Sequence, residues 1–482
     1  MYKVIITAPD KATSINKVVK DTNLLDLLTQ NGIYIPANCG RKGSCGKCKV
    51  DIIIGGKVQT VTSCTYAIQE DITVLLPTPI GEDFKVKPAE QAGIAIDIGT
   101  TSLAVYYVDL QSGHSQSFST LNKQAAFGAD IISRIKACQE GRLAELQAII
   151  IKQINAILSN IPNVSSLPVV ISANTTMLHI LAGKDPSSIG NYPFTPLFTD
   201  TQIIEGRSIG LTCGSLTLLP SAAAYFGADA VCGMASINVA EQEGANLFID
   251  IGTNAEQAIS NNGQITACAA AAGPAFEGAN IEKGMGATIG AIDHIYYKEG
   301  KLSYSVIGGG KPVGICGSGF IDAVALLLEH NAIDYYGTFS REKNMLSSYI
   351  AESKFFIAEQ VFISQADIRE FQLAKSAVYT GIMALLDIQN LTPADIKKVY
   401  IAGGLGYYLD KASAVRASIL PKELKPKIIS IGNASGAGAV KALLEAKFIT
   451  KCESLAKQIN VIELAETAGF MDKFIENMNF SV

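Results

Sequence analysis

The chain has 482 residues, too many for one compact core, so two to four domains are expected. Hydrophobic residues make up 48% and charged residues 17%, which excludes a disordered chain. A net charge of -5 gives no broad cationic face, so nucleic acid is not an expected partner.

The opening stretch MYKVIITAPDKATS lacks a cationic segment followed by a long apolar core, so no signal peptide is read there. No apolar run reaches about 18 residues. No membrane partner is expected, and a cytoplasmic location is the default reading. YKVIITAPD reads as a first strand. NLLDLLTQNG reads as a short helix, with Leu24, Leu25, Leu27 and Leu28 as its apolar stripe and Gly32 as its stop.

Four of the ten cysteines fall between positions 39 and 64. Cys39, Cys45 and Cys48 lie in a glycine-rich loop and Cys64 returns later, in the spacing C-x5-C-x2-C-x15-C. Three cysteines in one loop plus one from elsewhere is the layout that holds a 2Fe-2S cluster. Gly40, Gly43 and Gly46 let the backbone bend round such a cluster. The rival is a structural zinc site, which favours two separated C-x2-C pairs where this stretch has one. The order strand, helix, cysteine loop, strand resembles the plant-type ferredoxins of β-grasp shape, with a first gap of five residues rather than four. Arg41, Lys42, Lys47 and Lys49 in the loop read either as solvated charges or as a rim that meets an acidic partner. The other six cysteines, Cys138, Cys213, Cys232, Cys268, Cys316 and Cys452, read as buried thiols. The module is taken as residues 1–76, followed by a proline-containing linker at 77–91.

GIAIDIGTTSLAVYYVDL then shows a strand, a turn at Asp97, Gly99 and Thr100, and a second strand. ANLFIDIGTNAEQAIS repeats the plan at Asp250, Gly252 and Thr253. Each glycine leads into a β-rich segment, so both are hairpins rather than Rossmann turns, and no P-loop sequence occurs. Gly99 lets a phosphate approach the backbone, and Thr100, Thr101 and Ser102 offer donors to it. Asp97 is placed to hold Mg²⁺ through water. Asp250, Gly252, Thr253 and Asn254 do the same from the other side. Two facing hairpins would grip a nucleotide triphosphate between two lobes. KKVYIAGGLGYYLD and IISIGNASGAGAVKALLEA add two strands with glycine turns, suited to close passage of adenosine. Gly403, Gly404 and Gly406 are the first of these sets, and Gly317 and Gly319 in PVGICGSGFIDAVA are counted with the nucleotide-binding glycines. QADIREFQLAKSAVYTGIMALLD places Ile368, Phe371, Leu373, Ala374, Ala377 and Val378 at helical spacing, a core helix.

The three motif pieces resemble the acetate and sugar kinase, heat-shock chaperone and actin superfamily. That resemblance implies an α/β fold of two ribonuclease-H-like lobes, taken here as residues 92–240 and 241–482. Further stretches, among them NKQAAFGADIISRI, SANTTMLHILAG, LPSAAAYFGAD and AAAGPAFEGANI, are similar to the reductive activators of corrinoid proteins. The likeness runs from Tyr2 to Phe480. Long members of that family carry a further middle domain between ferredoxin and ATPase, and here only residues 77–91 are read in that place, so a short form is expected.

The resemblance implies ATP-dependent transfer of one electron from a 2Fe-2S cluster to Co(II), giving Co(I) for methyl transfer. The implied cofactors are the cluster, ATP and Mg. The implied partners are a corrinoid protein of a methyltransferase system, a low-potential electron donor of open identity, and a second copy of the chain in a homodimer. Cys39, Cys45, Cys48 and Cys64 would hold the cluster, and Asp97 and Asp250 the Mg²⁺ and the attacking water. Glu277 in GPAFEG is a candidate general base, with a structural hydrogen bond as its alternative. His179 and His294 read as structural. A plant-type cluster lies near roughly -400 mV and Co(I) formation is harder still, so ATP must favour one conformational state. The alternatives are a small-molecule kinase, an ATP-gated redox switch, or an activator of another low-potential enzyme.

Overall fold

The computed structural model describes the chain except Pro9, Asp10 and positions 32, 34, 36, 38–40, 42, 44–47, 76–85 and 481–482. Among the described residues the first module is a five-stranded mixed sheet with one helix against it. Strand Tyr2–Ala8 runs antiparallel to Lys11–Val18 and parallel to Ile72–Leu75, and the hairpin Lys49–Ile54/Lys57–Thr62 completes the sheet. Helix Leu24–Gln30 starts at Asn23, whose side chain accepts from Asp26 N. Leu24, Leu27 and Leu28 bury into one core with Val4, Ile6, Ile52 and Val74.

The rest of the chain builds one sheet plan twice. In lobe I, Ala92–Ile98, Ser102–Asp109 and Ser115–Leu121 form an antiparallel meander. Val169–Ala173 then joins the first strand in parallel, and Ser215–Leu218 joins Val169–Ala173. In lobe II, Ala245–Ile251, Ala255–Asn261 and Gln264–Ala270 form the meander. Ile396–Ala402 and Ile428–Gly432 follow in parallel. The central strands IAI and LFI are apolar on both faces because helices cover both sides.

The lobes are interlocked. Helix Ala434–Leu444 follows the last parallel strand of lobe II, yet Ala434 and Ala439 are buried in the lobe I core with Ile96, Ile171 and Val231. Its small residues permit the approach. A Cβ on Gly436 would lie 2.4 Å from Tyr106 Oη, and one on Gly438 would lie 2.6 Å from Cys232 O. These glycines therefore allow close contact between the lobes.

Helix Gln365–Ile388 opens on a capping box between Ser364 and Asp367 and forms the spine of lobe II. Ile368, Phe371, Ala374, Ala377 and Val378 are buried as expected, whereas Leu373 is exposed, on the opposite face. Phe371 makes edge contacts with Phe276 and Phe320 and a tilted one with Phe480. Phe371→Ala should cost about 3–5 kcal/mol of stability, read as a lowered urea midpoint. The final helix Phe470–Glu476 docks on this spine through Phe470 and Phe474, with Lys473 paired to Asp387 at 2.7 Å.

Candidate active site

Asp97 and Asp250 hold matching places, one residue before the end of the central strand of each lobe. The turns that follow face one carboxylate. Thr101 donates its hydroxyl to Glu277 Oε2, and Thr253 donates to Glu277 Oε1 at 2.9 Å. Glu277 sits on the short turn Pro274–Glu277 of lobe II. Gly252 lies against it, since a Cβ there would be 3.3 Å from Glu277 Oε1.

The first turn is held through its carbonyls. Gly99 O accepts from Asn122 Nδ2 at 2.8 Å, Thr101 O from Asn122 N at 2.8 Å, and Thr100 O from Arg134 Nη2. Arg134 is fully buried, and desolvation pulls its guanidinium down to about 10, with Asp130 and Glu277 opposing the fall. Asn174 Nδ2 donates to Thr100 Oγ1 at 3.3 Å.

Five acids ring the cleft: Asp97, Asp229, Asp250, Glu256 and Glu277. Desolvation, then the charges of Asp229, Asp97 and Glu277, push Asp250 up to about 8. Desolvation and Asp97 push Asp229 up to about 7. Glu256 stands directly across the hairpin from Asp250, and it is driven well up by desolvation and by Asp229 and Asp250. Burial also raises Asp97 and Glu277. Asp97 is moderated by Ser435 Oγ and Asn433 Nδ2, each donating at 2.7 Å. Like charges crowded into low dielectric favour protons or cations. Among the described residues no group of three or more His, Cys, Asp or Glu converges on one metal-sized point.

The glycines divide by role. Gly403 has φ +85°, and a Cβ there would lie 2.5 Å from Asp250 Oδ1, so only glycine lets helix Gly403–Tyr408 start beside that acid. Gly404 faces open space, and Gly406 packs on Ile401 O. Gly317 and Gly319 lie at the start of helix Gly317–Glu329, pressed on Phe276 O and Ile292 O. Gly317 packs on the turn that carries Glu277, and Gly319 packs on the strand Ala291–Lys298. Ser102 is exposed at the rim and Asn254 lies partly buried beside Thr253.

In the first module, the hairpin pairs Lys49 with Thr62, so its open end gathers Cys48 and Cys64 into one apolar cluster with Leu25 and Ala37. Ser63 locks that end by donating N and Oγ to Cys48 O at 3.0 and 2.7 Å. The two thiols are thereby buried together, which fits two ligands of one cluster. Cys39 and Cys45 lie outside the described residues. The six scattered cysteines are buried free thiols. His179 is structural: Nδ1 donates to Thr175 O at 2.8 Å while Nε2 accepts from Leu197 N at 3.0 Å, which fixes it neutral. His294 pairs with Asp322 at 3.0 Å.

Sequence reasoning missed Asp229, Glu256, Arg134, Asn433 and Ser435. Two left a signal. Arg134 interrupts the apolar face set by Ile131 and Ile135 on a short helix, and Glu256 is the cross-strand neighbour of Asp250 once the hairpin is drawn. Asp229, Asn433 and Ser435 come from distant segments with no local pattern.

Comparison with known proteins agrees with this architecture. Residues 7–69 match the 2Fe-2S iron-sulfur cluster binding domain, 92–242 the RACo middle region, and 244–482 the C-terminal domain of RACo, the ASKHA domain. The expectation of a short form without a middle domain is therefore wrong. The middle region is present, and because it folds as the first of two like lobes, its sequence reads as ATPase. The chain is 32% identical over 418 residues to the corrinoid activation enzyme RamQ of Eubacterium limosum, covering 80% of this chain and 70% of that protein. It is 29% identical over 262 residues to the Co(II) methylated amine-specific corrinoid protein reductase of Methanosarcina barkeri, covering 49% of this chain and 46% of that one. A solved structure of a reductive activator for corrinoid, iron-sulfur protein superposes with a TM-score of 0.75 at 27% identity, covering 100% of this chain and 98% of that chain. From the cysteine module to the last helix, the chain belongs to the RACo family of reductive activators of corrinoid proteins.

Proposed function

We propose that the protein activates a corrinoid protein by ATP-dependent reduction of its cobalt from Co(II) to Co(I). The observation that carries this reading is the pair of aspartate turns meeting at Glu277 in the chain that also buries Cys48 beside Cys64. A 2Fe-2S cluster on Cys39, Cys45, Cys48 and Cys64 supplies single electrons when bound. The remaining work falls to the chain's own residues. Thr100, Thr101 and Ser102 bind triphosphate oxygens from lobe I, and Gly252, Thr253 and Asn254 from lobe II. Gly404 leaves room for adenosine, while Gly403, Gly406, Gly317 and Gly319 hold the surrounding turns in place. Asp97 and Asp250 would hold Mg²⁺, whose charge would offset the crowding of acids in the cleft. Glu277 orients the attacking water once phosphate has displaced its carboxylate from the two threonines. A low-potential donor outside the chain replaces the electron after each transfer.

ATP acts by favouring a state of the complex in which reduced cobalt is trapped, since a ligand moves an equilibrium only by its differential affinity. The test is the conversion of a corrinoid protein's Co(II) spectrum to that of Co(I), with reductant and with ATP, ADP or no nucleotide. Conversion should be high only with ATP, and equal yields in all three would sink the proposal.

A further inference from the structure

The short turn Lys123–Phe127 touches both functional parts of the chain. At its start, Asn122 holds the first phosphate turn through Gly99 O and Thr101 O. At its end, the ferredoxin module is seated. Ala37 N donates to Ala125 O at 2.9 Å, and Arg41 Nε donates to Ala126 O at 3.1 Å. Arg41 lies two residues beyond Cys39, so this contact belongs to the cysteine loop. The guanidinium groups of Arg41 and Arg142 both stack on Phe127, 4.7 and 4.5 Å from its ring centre. Asp26 binds both of them, Arg142 at 3.2 Å, and its carboxyl is held below the usual range against the opposing effect of its own burial. Phe127 is 3% exposed, so its contact with the module is specific rather than a surface brush.

The joint is open on one side. Beside Asp26 and Arg142 runs an open groove of about 420 Å³, lined also by Gln30, Glu145 and Lys152. Arg142 has a second home in lobe I, where Glu145 binds it at 2.9 Å. Losing the module therefore leaves that arginine paired.

We infer that the turn 123–127 is a latch, through which triphosphate bound at the first aspartate turn releases the ferredoxin module from lobe I. This rests on the proposed nucleotide site. The docked arrangement coexists with Thr101 donating to Glu277. A triphosphate between the turns must take Thr101 from that like-charged carboxylate. Moving Thr101 disturbs Asn122, and Asn122 carries the turn on which Arg41 sits. ATP would then free the cluster to travel to its acceptor, and exchange for ADP would let it dock again.

Linkage makes the latch reciprocal: if nucleotide releases the module, a chain with a weakened joint binds nucleotide more tightly by the same factor. The test uses the cluster-loaded full chain carrying Lys184→Cys, an exposed lobe I position, labelled with a nitroxide. The distance distribution to the reduced cluster is read by pulsed EPR. Without nucleotide it should be narrow. With a non-hydrolysable ATP analogue and Mg²⁺ it should move and broaden. Arg142→Ala, at a partly exposed site, should broaden it without nucleotide and tighten analogue binding about five-fold or more. Analogue binding with an unmoved distribution would overturn the latch alone, as would a broadened variant with unchanged affinity. Failure of the analogue to bind at all would overturn the nucleotide site as well.

Discussion

Asp250→Asn should reduce ATP hydrolysis by on the order of 10²-fold or more, with a smaller loss of nucleotide affinity. The carboxylate lies one residue before the strand end, and asparagine keeps its shape while removing the ionisable group that, on the proposed function, would organise Mg²⁺ and water. Phosphate release at saturating MgATP gives the readout, and a rate within a factor of three of the parent would remove Asp250 from the site. The same variant makes a stability prediction. Native Asp250 keeps its proton up to about pH 8 and Asp229 up to about pH 7, whereas the unfolded chain gives both up near pH 4. Between those limits the native state binds more protons, so its stability is full below about pH 4 and falls as pH rises toward 8. In chelator, the melting temperature of the parent should therefore drop between about pH 5.5 and pH 8.5. The Asn variant should drop less, and Mg²⁺ should restore the parent selectively at the alkaline end. Equal slopes for parent and variant would show that the acids do not share protons in the cleft.

Cys48→Ser and Cys64→Ser should each abolish the visible absorption of the cluster and reduce corrinoid activation to background. ATP hydrolysis should survive in both, because among the described residues the cleft takes none from the cysteine hairpin. Cys213→Ser, at a buried thiol of lobe I, is the control and should keep its cluster. If Cys48→Ser retains a full 2Fe-2S spectrum, the four-cysteine assignment falls. Iron and zinc content of the parent separates the cluster from the rival zinc site.

Much of the cleft could be read from the chain because it is built locally. Asp97 to Thr101 and Asp250 to Thr253 are continuous hairpin turns, and their duplication marks them as one device. The cysteine hairpin is legible for the same reason: Cys48 and Cys64 flank two paired strands. Contributions that depend on topology stayed hidden. Asp229 and Asp97 come near one another only because helix Ala228–Ser236, distant in the chain, starts there, and Asn433 reaches Asp97 across 336 positions. No periodicity records such an encounter. Charge misled in one instance. Arg41 reads as a solvated loop cation or part of a rim for an acidic partner, yet it stacks on Phe127 and binds Asp26. The middle region misled in another way, since a repeated lobe looks like half of a single ATPase.

Helix Ala434–Leu444 carries one more implication, for modularity. It leaves lobe II and completes the interior of lobe I, so residues 92–242 do not possess their own finished core. A fragment ending near 242 would leave Ile96 and Val231 without the cover of Ala434 and Ala439. The two lobes must therefore melt together as a single cooperative unit, although they repeat one plan. The ferredoxin module has its own core, and among the described residues it is seated on lobe I through the turn Lys123–Phe127, Arg41, Arg142 and Asp26.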